Sequence, residues 1–504
     1  MEKKNGFSSG LGFILATAGG AVGLGNLWSF PYKTSQNGGA AFVFVYIISV
    51  IVLGLAISIA EMYIGKRAAA NNVTAYTKIR KSLGWIGLIA ITTALFIAFY
   101  YIVIGGFTVK YTLSSFADTP TDLKSFSGNI GEVIMYSAIF LALAMVIISA
   151  GVKQGIEKAS KILMPTLIVI LVGIVIYCLC LGSGVGDGLK FYLSPDFSAL
   201  GAKGILSAMG QAFFSLSVGA GALATYGSYV GKEVNLGKSV IWIAFFDTLV
   251  ALLAGLAIFP AIYHYKAETG IDLDNNGIVL LFNSMPIIFN SLGSGGKVVS
   301  FLFFGMVSIA AITSLISLIE VISQYLIQRY KLKRKNACLI VAAFMFLVSI
   351  PIGISLGYKL NDKSMMVIGN LSFLEILDQI VAGVFIPVGA LCIAIAFGWF
   401  MYKAENVKDL FSFKYLGDKL KEEGLDLGFM QYVFAFMIKY LSPLLILGID
   451  ILGISDNIFP DHAFSLDGLI VEIMGLAIIG LLIGVFFIFV RNKNLGDNQS
   501  EVAE

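Results

Sequence analysis

Long apolar stretches recur along almost the whole chain, and most are long enough to cross a lipid bilayer. A helix of about 20 mostly apolar residues spans the hydrocarbon core. Of the 504 residues, 58% are hydrophobic and 13% are charged, whereas soluble domains are about 45–50% apolar and about 25% charged. The pattern predicts an all-α membrane protein with about twelve spans, numbered in chain order: 11–35, 40–65, 84–114, 131–150, 160–182, 203–230, 238–264, 295–329, 336–356, 371–402, 428–454 and 467–490.

Basic residues are concentrated in alternate connections between these spans. Examples are Lys66 and Arg67 after span 2 and Lys331 to Lys335 after span 8. Because cytoplasmic loops carry an excess of Lys and Arg, these connections are predicted to be cytoplasmic. With an even number of spans, both termini then lie inside, in the inner (plasma) membrane. We interpret these charges as topology rather than as a nucleic-acid-binding surface.

The chain divides into a ten-helix core and two additional spans. Residues 1–10 form a predicted cytoplasmic segment, and 11–402 form the core, with repeats at about 11–182 and 203–402. Helices 11 and 12 occupy 428–490 and have no assigned role, and 491–504 form a cytoplasmic tail. The connection at 265–294 is too apolar for a free loop and is predicted to pack into the protein as a lid.

Spans 1 and 6 both contain a glycine-rich interruption near mid-membrane. Span 1 has Gly19, Gly20, Gly23 and Gly25 in the run before Asn26, and span 6 has the run 215–221 with two serines and two glycines. An unwound backbone is tolerated in a bilayer where it faces protein or water, and its free carbonyls can coordinate a cation. Interruptions at matching positions in two five-helix halves indicate an inverted-repeat transporter, although each could instead only allow tight helix packing.

A few polar side chains lie inside the apolar spans and are candidate functional groups. Charges at membrane depth are costly, and the spans contain Glu61, Asp247, Glu320 and Asp378. Glu61 has an alternative structural role, which is bonding the interrupted part of span 6. Thr313 and Ser314 follow Ala310 in span 8, and their hydroxyls are hard oxygen ligands suited to an alkali cation. No clustered set of residues suggests an enzyme.

The opening of the chain resembles the neurotransmitter:sodium symporter family. The resemblance is carried by the segments 10–15, 18–26, 30–31 and 37–42, by 211–217 and by 225–229, and it extends over about residues 6 to 400. Within the family the chain is similar to the bacterial amino-acid branch, which includes tyrosine, tryptophan and leucine transporters. The resemblance implies an inverted-repeat core with discontinuous helices 1 and 6, and sodium-coupled transport of an amino acid by alternating access.

The resemblance also implies two sodium sites. The first would use Ala21, Asn26, Ser215 and Asp247 together with the substrate carboxylate. The second would use Gly19, Val22, Ala310, Thr313 and Ser314. The family has Asn at the position of Asp247, with a nearby acid or chloride to supply negative charge. Here Ala251 follows one turn later, so we expect Asp247 to serve both purposes, surrounded by Tyr46, Gln211 and Ser215, and transport to be independent of chloride.

Substrate contacts follow from the same resemblance. Monoamine carriers have Asp at the position of Gly23, so a substrate of this chain should bring its own carboxylate. That carboxylate would meet Leu24, Gly25, Tyr101 and the first sodium. The side chain would be enclosed by Gly20, Ile97, Tyr101, Phe214, Ser217, Ala220, Ser314 and Leu318, with Ala21 and Ser215 beside them. This largely apolar lining favours an apolar or aromatic amino acid.

Gates are also implied by resemblance. Phe214 and Tyr101 would cover the substrate, with Phe282 above them. The usual outer ion pair is absent because Ser29 replaces the expected Arg opposite Asp378. Lys4, Phe7, Ser228 and Tyr229 match inner-gate positions, and the inner acid is replaced by Gln328.

The sequence leaves alternatives open for the structure of span 5 and for the function of the protein. Gly155 and Pro165 would either let span 5 unwind or form a static kink. The alternatives to sodium-coupled symport are a proton-coupled carrier using a buried acid and an amino-acid sensor without transport. The exact substrate, the sodium stoichiometry and the oligomeric state stay open.

Overall fold

The protein is an all-α membrane protein, as the sequence predicts. The computed structural model describes residues 6–231, 233–274, 277–363, 366–368, 371–404, 406–458 and 465–501. Within these ranges ten helices are long and apolar enough to cross a membrane, and a helix pair bent by 52° at the start of the chain makes an eleventh span. We call the side that carries the basic connections the inner side.

The observed spans follow the predicted order, and we keep their numbers. Span 1 is the pair Gly10–Ala21 and Gly25–Gln36. The others are Ala40–Ala68 (2), Lys81–Ser114 (3), Ile130–Ser149 (4), Val152–Leu179 (5), Leu236–Thr269 (7), Gly293–Tyr330 (8), Arg334–Leu360 (9), Phe373–Phe400 (10), Gln431–Ser455 (11) and Leu466–Ile488 (12), the last within a helix that continues to Glu501.

Span 6 consists of two short helices, Ala202–Ser215 and Ala222–Ser228. Neither reaches bilayer length alone. Between them Ser217, Gly219 and Gly221 have positive φ angles of 54°, 78° and 75°, a region that Gly adopts without steric cost. The glycine-rich sequence therefore breaks the helix where it was predicted to, and the two halves together supply the twelfth span.

Several short elements connect the spans and were not predicted. They are the helices Asn72–Ile79, Leu123–Gly128, Val185–Leu193, Val407–Phe411 and Phe413–Glu422 and the two-residue strands Val367–Ile368 and Leu371–Ser372. The strands pair antiparallel. These elements are too short or too polar to be recognised from hydropathy.

Spans 3 and 8 form the centre of the bundle. Their most apolar windows are 72% and 83% buried within the protein, compared with 28% for spans 4 and 12. The interrupted regions of spans 1 and 6 pack against this centre, which places their free backbone groups among protein atoms. Such burial is what allows irregular backbone at membrane depth.

The connection between spans 7 and 8 packs into the protein, as predicted. It forms the helical segments Gly277–Val279, Leu280–Ser284 and Met285–Ser291. Leu280, Phe282, Met285 and Phe289 are each no more than 1% exposed. This segment therefore covers the outer ends of the neighbouring spans.

Span 5 begins earlier than predicted. Residues Val152–Glu157 form a π-helical segment, and an α-helix continues from Lys158 through Pro165 to Leu179. The prediction of a start at residue 160 was wrong because the charged residues between Val152 and Ser160 hide a helix that extends beyond the apolar region. Gly155 lies within the helix, and span 5 is not unwound in this structure.

Candidate functional site

The interruption in span 1 leaves two residues, Val22 and Gly23, outside helical geometry. The helix ends at Ala21, and Val22 has an extended backbone (ψ 111°) whose N–H still bonds the Ala18 carbonyl at 2.7 Å. Leu24 is already helical, and a π-helical segment follows from Gly25 to Ser29. The Asn26 N–H bonds the Gly23 carbonyl at 3.2 Å, and the Val22 carbonyl faces Ser314 of span 8 instead.

One polar cluster joins spans 1, 2, 6 and 7. The Asn26 amide nitrogen donates to Ser215 Oγ at 2.9 Å and to Asp247 Oδ1 at 2.8 Å, and Ser215 Oγ donates to Asp247 Oδ2 at 2.6 Å. Tyr46 Oη lies 3.3 Å from Ser215 Oγ. All four side chains are fully buried. We call Asn26, Ser215, Asp247 and Tyr46 the Asp247 cluster.

The Asp247 cluster contains a buried acid without a basic partner among the described residues. The ion pairs in those ranges do not include Asp247. An isolated charge in an apolar interior is strongly disfavoured, so such a carboxylate requires a cation or a proton. Asn26 Oδ1 accepts from the Gly23 N–H at 3.0 Å. An amide oxygen has two lone pairs, so Oδ1 keeps one of them available for a cation.

A second cluster joins the interruption in span 1 to span 8. Ser314 Oγ donates to the Val22 carbonyl at 3.1 Å. Thr313 Oγ1 donates to the Ala310 carbonyl at 2.9 Å, and a Cβ on Gly19 would lie 3.7 Å from Thr313 Cβ. The structure thus brings together all five residues predicted for the second sodium site. Their oxygen atoms are hydroxyls and carbonyls, which suit a hard cation.

A small cavity lies between the two clusters. Its volume is about 20 Å³, close to that needed for a single water molecule. Binding of a larger molecule therefore requires the lining side chains to move apart. The lining consists of Gly20, Ala21, Gly25, Ile97, Tyr101, Phe214, Ser217, Ala220, Ser314, Leu318 and Ile386.

The predicted carboxylate contacts lie beside this cavity. Tyr101 Oη accepts a hydrogen bond from the Leu24 N–H at 3.1 Å. A Cβ on Gly23 would lie 2.4 Å from Ser314 Oγ and 2.8 Å from Tyr101 Oη. Gly23 is therefore a place where only glycine fits without rearrangement, and the backbone N–H groups of the interruption stay close to the cavity.

Glu61 of span 2 bonds the interruption in span 6. Its Oε2 accepts from the Gly219 N–H at 2.9 Å, and its side chain is 1% exposed. The structure confirms the structural alternative proposed for this residue. Glu61 satisfies a backbone donor that the broken helix cannot satisfy itself.

On the outer side the predicted residues are more dispersed. Ser29 Oγ donates to Gln211 Oε1 at 2.9 Å, and Gln211 Nε2 donates to the Gly25 carbonyl at 2.8 Å. Gln211 bonds span 1 in this way, and its expected place around the Asp247 carboxylate stays a prediction. Phe282 packs against Phe107 and Tyr111, with ring centroids 5.5 and 5.1 Å away, and does not line the cavity.

Lys33 provides a cation that the sequence argument missed. It lies one helical turn beyond Ser29, and its Nζ is 5.9 Å from the centroid of the Phe214 ring. Asp378 of span 10 carries the opposite charge, and the ion pairs found among the described residues do not include Lys33. Residue 29 alone gives no indication of this cation, whereas a Lys four residues later on the same helical face does.

On the inner side Phe7, Ser228 and Tyr229 lie together. The Phe7 ring centroid is 6.4 Å from that of Tyr229, and Ser228 Oγ accepts from Gln324 Nε2 at 2.7 Å. These residues line a cavity of about 910 Å³. Lys4 is outside the described residues. Gln328 accepts two hydrogen bonds from Asn71, at 2.7 and 2.8 Å.

Glu320 belongs to an ion pair that the sequence analysis did not anticipate. Tyr229 Oη donates to its Oε1 at 2.6 Å, and Arg334, at the start of span 9, donates to both carboxylate oxygens. Arg334 also bonds the Ile148 carbonyl at 3.2 Å. The sequence does not indicate this ion pair. Arg334 lies 14 residues after Glu320, and their contact depends on the turn between spans 8 and 9.

All of these residues lie in the part of the chain that matches a known protein family. The model of the sodium:neurotransmitter symporter family matches residues 4–123 and 120–465. Proteins described as uncharacterised sodium-dependent transporters match from Bacillus subtilis, 33% identical over 80% of this chain and 90% of that protein, and from Haemophilus influenzae, 34% identical over 82% and 93%. The crystal structure of MhsT in complex with L-phenylalanine superposes with a TM-score of 0.78 at 34% identity, covering 89% of this chain and 99% of MhsT.

Proposed function

The chain belongs to the sodium:neurotransmitter symporter family, and on that basis we propose that it is a sodium-coupled symporter for an apolar or aromatic amino acid. Relatives described as sodium-dependent transporters and the L-phenylalanine complex of MhsT support this assignment. The transport cycle would alternate access to the central cavity between the two sides of the membrane. Each sodium ion entering gains about 2.3 kcal/mol per 100 mV of membrane potential, in addition to its gradient.

The observation that carries the proposal is the Asp247 cluster. Its carboxylate is buried among neutral side chains, so a monovalent cation at this point neutralises it. The Ala21 carbonyl, Asn26 Oδ1, Ser215 Oγ and Asp247 would supply oxygen ligands for a first sodium. A substrate carboxylate near Tyr101 would complete that set, which couples substrate binding to sodium binding.

A second sodium would bind where spans 1 and 8 meet. Gly19, Val22 and Ala310 would contribute carbonyls, and Thr313 and Ser314 would contribute hydroxyls. These ligands are neutral and do not titrate near neutral pH. The site therefore favours an alkali cation over a proton, and it links the bent part of span 1 to the rigid span 8.

The cavity lining supports an amino acid with an apolar side chain. Ile97, Phe214, Leu318 and Ile386 offer hydrocarbon surface, while Ser217 and Ser314 offer the few hydroxyls. The hydroxyl of Tyr101 and the N–H groups of Leu24 and Gly25 would receive the substrate carboxylate, with the Leu24 N–H giving up its bond to Tyr101 Oη. Apolar lining with a few oriented polar groups is the usual composition of a small-molecule site.

We also propose that transport does not require chloride. The position one turn after Asp247 is Ala251, which is fully buried. Asp247 would supply the negative charge that balances the first sodium. A bound chloride would then add a second negative charge at the same place and would be repelled.

Proton-coupled transport is the second candidate, and Asp247 is the residue that favours it. Glu320 has a charged partner in Arg334, whereas Glu61 binds the neutral Gly219 N–H and holds the interruption in span 6. Asp247 faces only neutral donors and could exchange a proton. The neutral ligand set of the second site favours sodium over this alternative.

The remaining assignments concern location and partners. Both termini would be cytoplasmic in the plasma membrane, following the distribution of Lys and Arg. Spans 3 and 8 lie at the centre, and exposed Leu and Ile side chains on spans 11 and 12 would contact lipid. The partners expected are the amino acid, sodium and the bilayer.

The proposal is tested by uptake into liposomes that contain the purified protein. Each of the twenty amino acids is supplied with a sodium gradient, with a proton gradient alone, and with sodium replaced by choline. Accumulation of an apolar or aromatic amino acid only with sodium is the expected result. Uptake that persists in choline and follows the proton gradient would replace it with the second candidate, and binding without accumulation would indicate a sensor.

A further inference from the structure

The inner ends of spans 1 and 5 meet at one buried carboxylate, Glu157. Its side chain is 1% exposed and ends the π-helical segment of span 5. Ser8 donates its backbone N–H at 2.7 Å and its hydroxyl at 2.6 Å, and the Ser9 hydroxyl lies 3.1 Å away. Lys161 Nζ donates at 2.7 Å. One carboxylate thus joins the segment before span 1 to the first α-helical turn of span 5.

Each of these contacts depends on a different local structure. Lys161 reaches Glu157 because residues four apart are neighbours on a helix, so the ion pair requires the turn 157–161 to stay helical. Ser8 and Ser9 reach it only while their segment is docked. Ser9 is also the N-cap of span 1 and accepts from the Gly12 N–H at 3.1 Å. Loss of either structure removes part of the binding to the same carboxylate.

The packing around Glu157 is close. A Cβ on Gly12 would lie 2.1 Å from Glu157 Oε1, so span 1 contacts this side chain with its backbone. Further along span 5, Met164 Cγ lies 3.2 Å from the position of a Cβ on Gly19. Gly19 belongs to the second polar cluster. Span 5 therefore contacts span 1 at its inner end and again beside that cluster.

We propose that Glu157 is a positioning residue that keeps the inner side closed by coupling the docked segment at Ser8 and Ser9 to the first helical turn of span 5. The inference rests on the proposed function, since closure matters only to a carrier that alternates access. When the segment undocks, the carboxylate loses three of its donors. When the turn unwinds, the carboxylate loses Lys161. Each event therefore removes contacts that hold the other structure in place.

The experiment measures access of water-soluble reagents to the inner end of span 5. Ser160, 4% exposed on this span, is changed to Cys in a background without the four native cysteines. The rate of maleimide modification is measured on purified protein without sodium. Glu157→Gln should raise the rate roughly tenfold, the effect of losing one charge-assisted hydrogen bond. The double variant Ser8→Ala, Ser9→Ala should raise it less, with Glu157 intact.

Glu132→Gln is the matched control. It breaks the Lys110–Glu132 ion pair, 2.8 Å long, at the outer ends of spans 3 and 4, and should leave the modification rate unchanged. Equal rates in the parent, Glu157→Gln and the serine variant would overturn the proposal. So would an increase in Glu132→Gln as large as that in Glu157→Gln, because the effect would then report general loosening.

The serine variant decides the question if Glu157→Gln does not fold. The labelling assay needs no transport, so its outcome is separate from that of the proposed function. A protein that shows the labelling difference but no sodium-driven uptake would contradict the proposed function and keep the coupling. A protein that transports but labels equally in all variants would contradict the coupling alone.

Discussion

Asp247 and Gly23 illustrate how single residues shape the site. Asp247 is a fully buried carboxyl group whose two hydrogen-bond donors, Asn26 and Ser215, are both neutral. Gly23 is surrounded so closely by Ser314 and Tyr101 that no side chain fits beside them. The first residue supplies charge, and the second lets span 1 approach Tyr101 of span 3 and Ser314 of span 8 closely. Both properties are lost with very small chemical changes.

Asp247→Asn removes the charge and leaves the shape almost unchanged. Two unit charges about 4 Å apart at an effective dielectric constant of about 20 attract by roughly 4 kcal/mol. We expect the apparent sodium affinity to fall by roughly 100-fold or more in chloride-free buffer, and added chloride to restore part of it. Uptake is measured against sodium concentration in gluconate and in chloride. Asp187→Asn, an exposed outer acid, should have no effect, and unchanged sodium dependence in Asp247→Asn would contradict the assignment.

Gly23→Ala places a methyl group 2.4 Å from Ser314 Oγ. Overpacking of this kind typically costs about 1–3 kcal/mol, so we expect uptake at low substrate concentration to fall roughly tenfold. Gly173→Ala on span 5, where nothing lies within 4 Å of the added Cβ, is the control. Comparable uptake in both variants would mean that the interruption is not tightly packed during transport.

At the scale of elements, the spans themselves were predictable and their ends were less so. An apolar run as long as the bilayer is thick predicts a helix, because backbone N–H and C=O groups in lipid can bond only one another. Glycine-rich sequence also indicated the interruptions in spans 1 and 6. The start of span 5 was missed because a helix that leaves the hydrocarbon becomes polar, so Lys153 and Glu157 resemble loop residues.

Lys33 on span 1 and Asp378 on span 10 are half-buried and carry opposite charges, and we expect them to act as a pair. We expect Lys33→Met and Asp378→Asn each to lower sodium-driven uptake, because either change leaves one charge without its partner near Phe214. Together they should lower it by less than the product of the single effects, since interacting residues are not additive. Lys190→Met, an exposed outer residue, serves as control. Strictly multiplicative effects would show that the two side chains do not act as a pair.

At the scale of the molecule, a single sequence indicates which helices exist but not all of their contacts. The members of the Asp247 cluster come from spans 1, 2, 6 and 7, and only resemblance to a known family grouped them in advance. Pairs such as Arg334 with Glu320 depend on how neighbouring helices are turned and tilted. Those angles are set by packing of many side chains at once, which no local pattern encodes.

Orientation of the whole molecule is tested with a native thiol. Cys180 is exposed at the end of span 5 opposite the basic connections, and Cys178 is buried. In intact cells a membrane-impermeant maleimide should therefore modify the protein at Cys180, and Cys180→Ser should abolish that labelling. Labelling only after the cells are opened would reverse the assigned orientation.

The two cavities on the transport path differ greatly in size. The central cavity has about 20 Å³ and the inner one about 910 Å³. A competitive blocker on the outer side must first displace Phe214 and its neighbours. A blocker on the inner side, which we propose is cytoplasmic, finds an existing recess lined by Phe7, Tyr229 and Glu423. A search for inhibitors of this carrier should therefore begin with membrane-permeant compounds. Assays in inside-out vesicles, where the inner side faces the medium, would detect such inhibitors before whole-cell assays do.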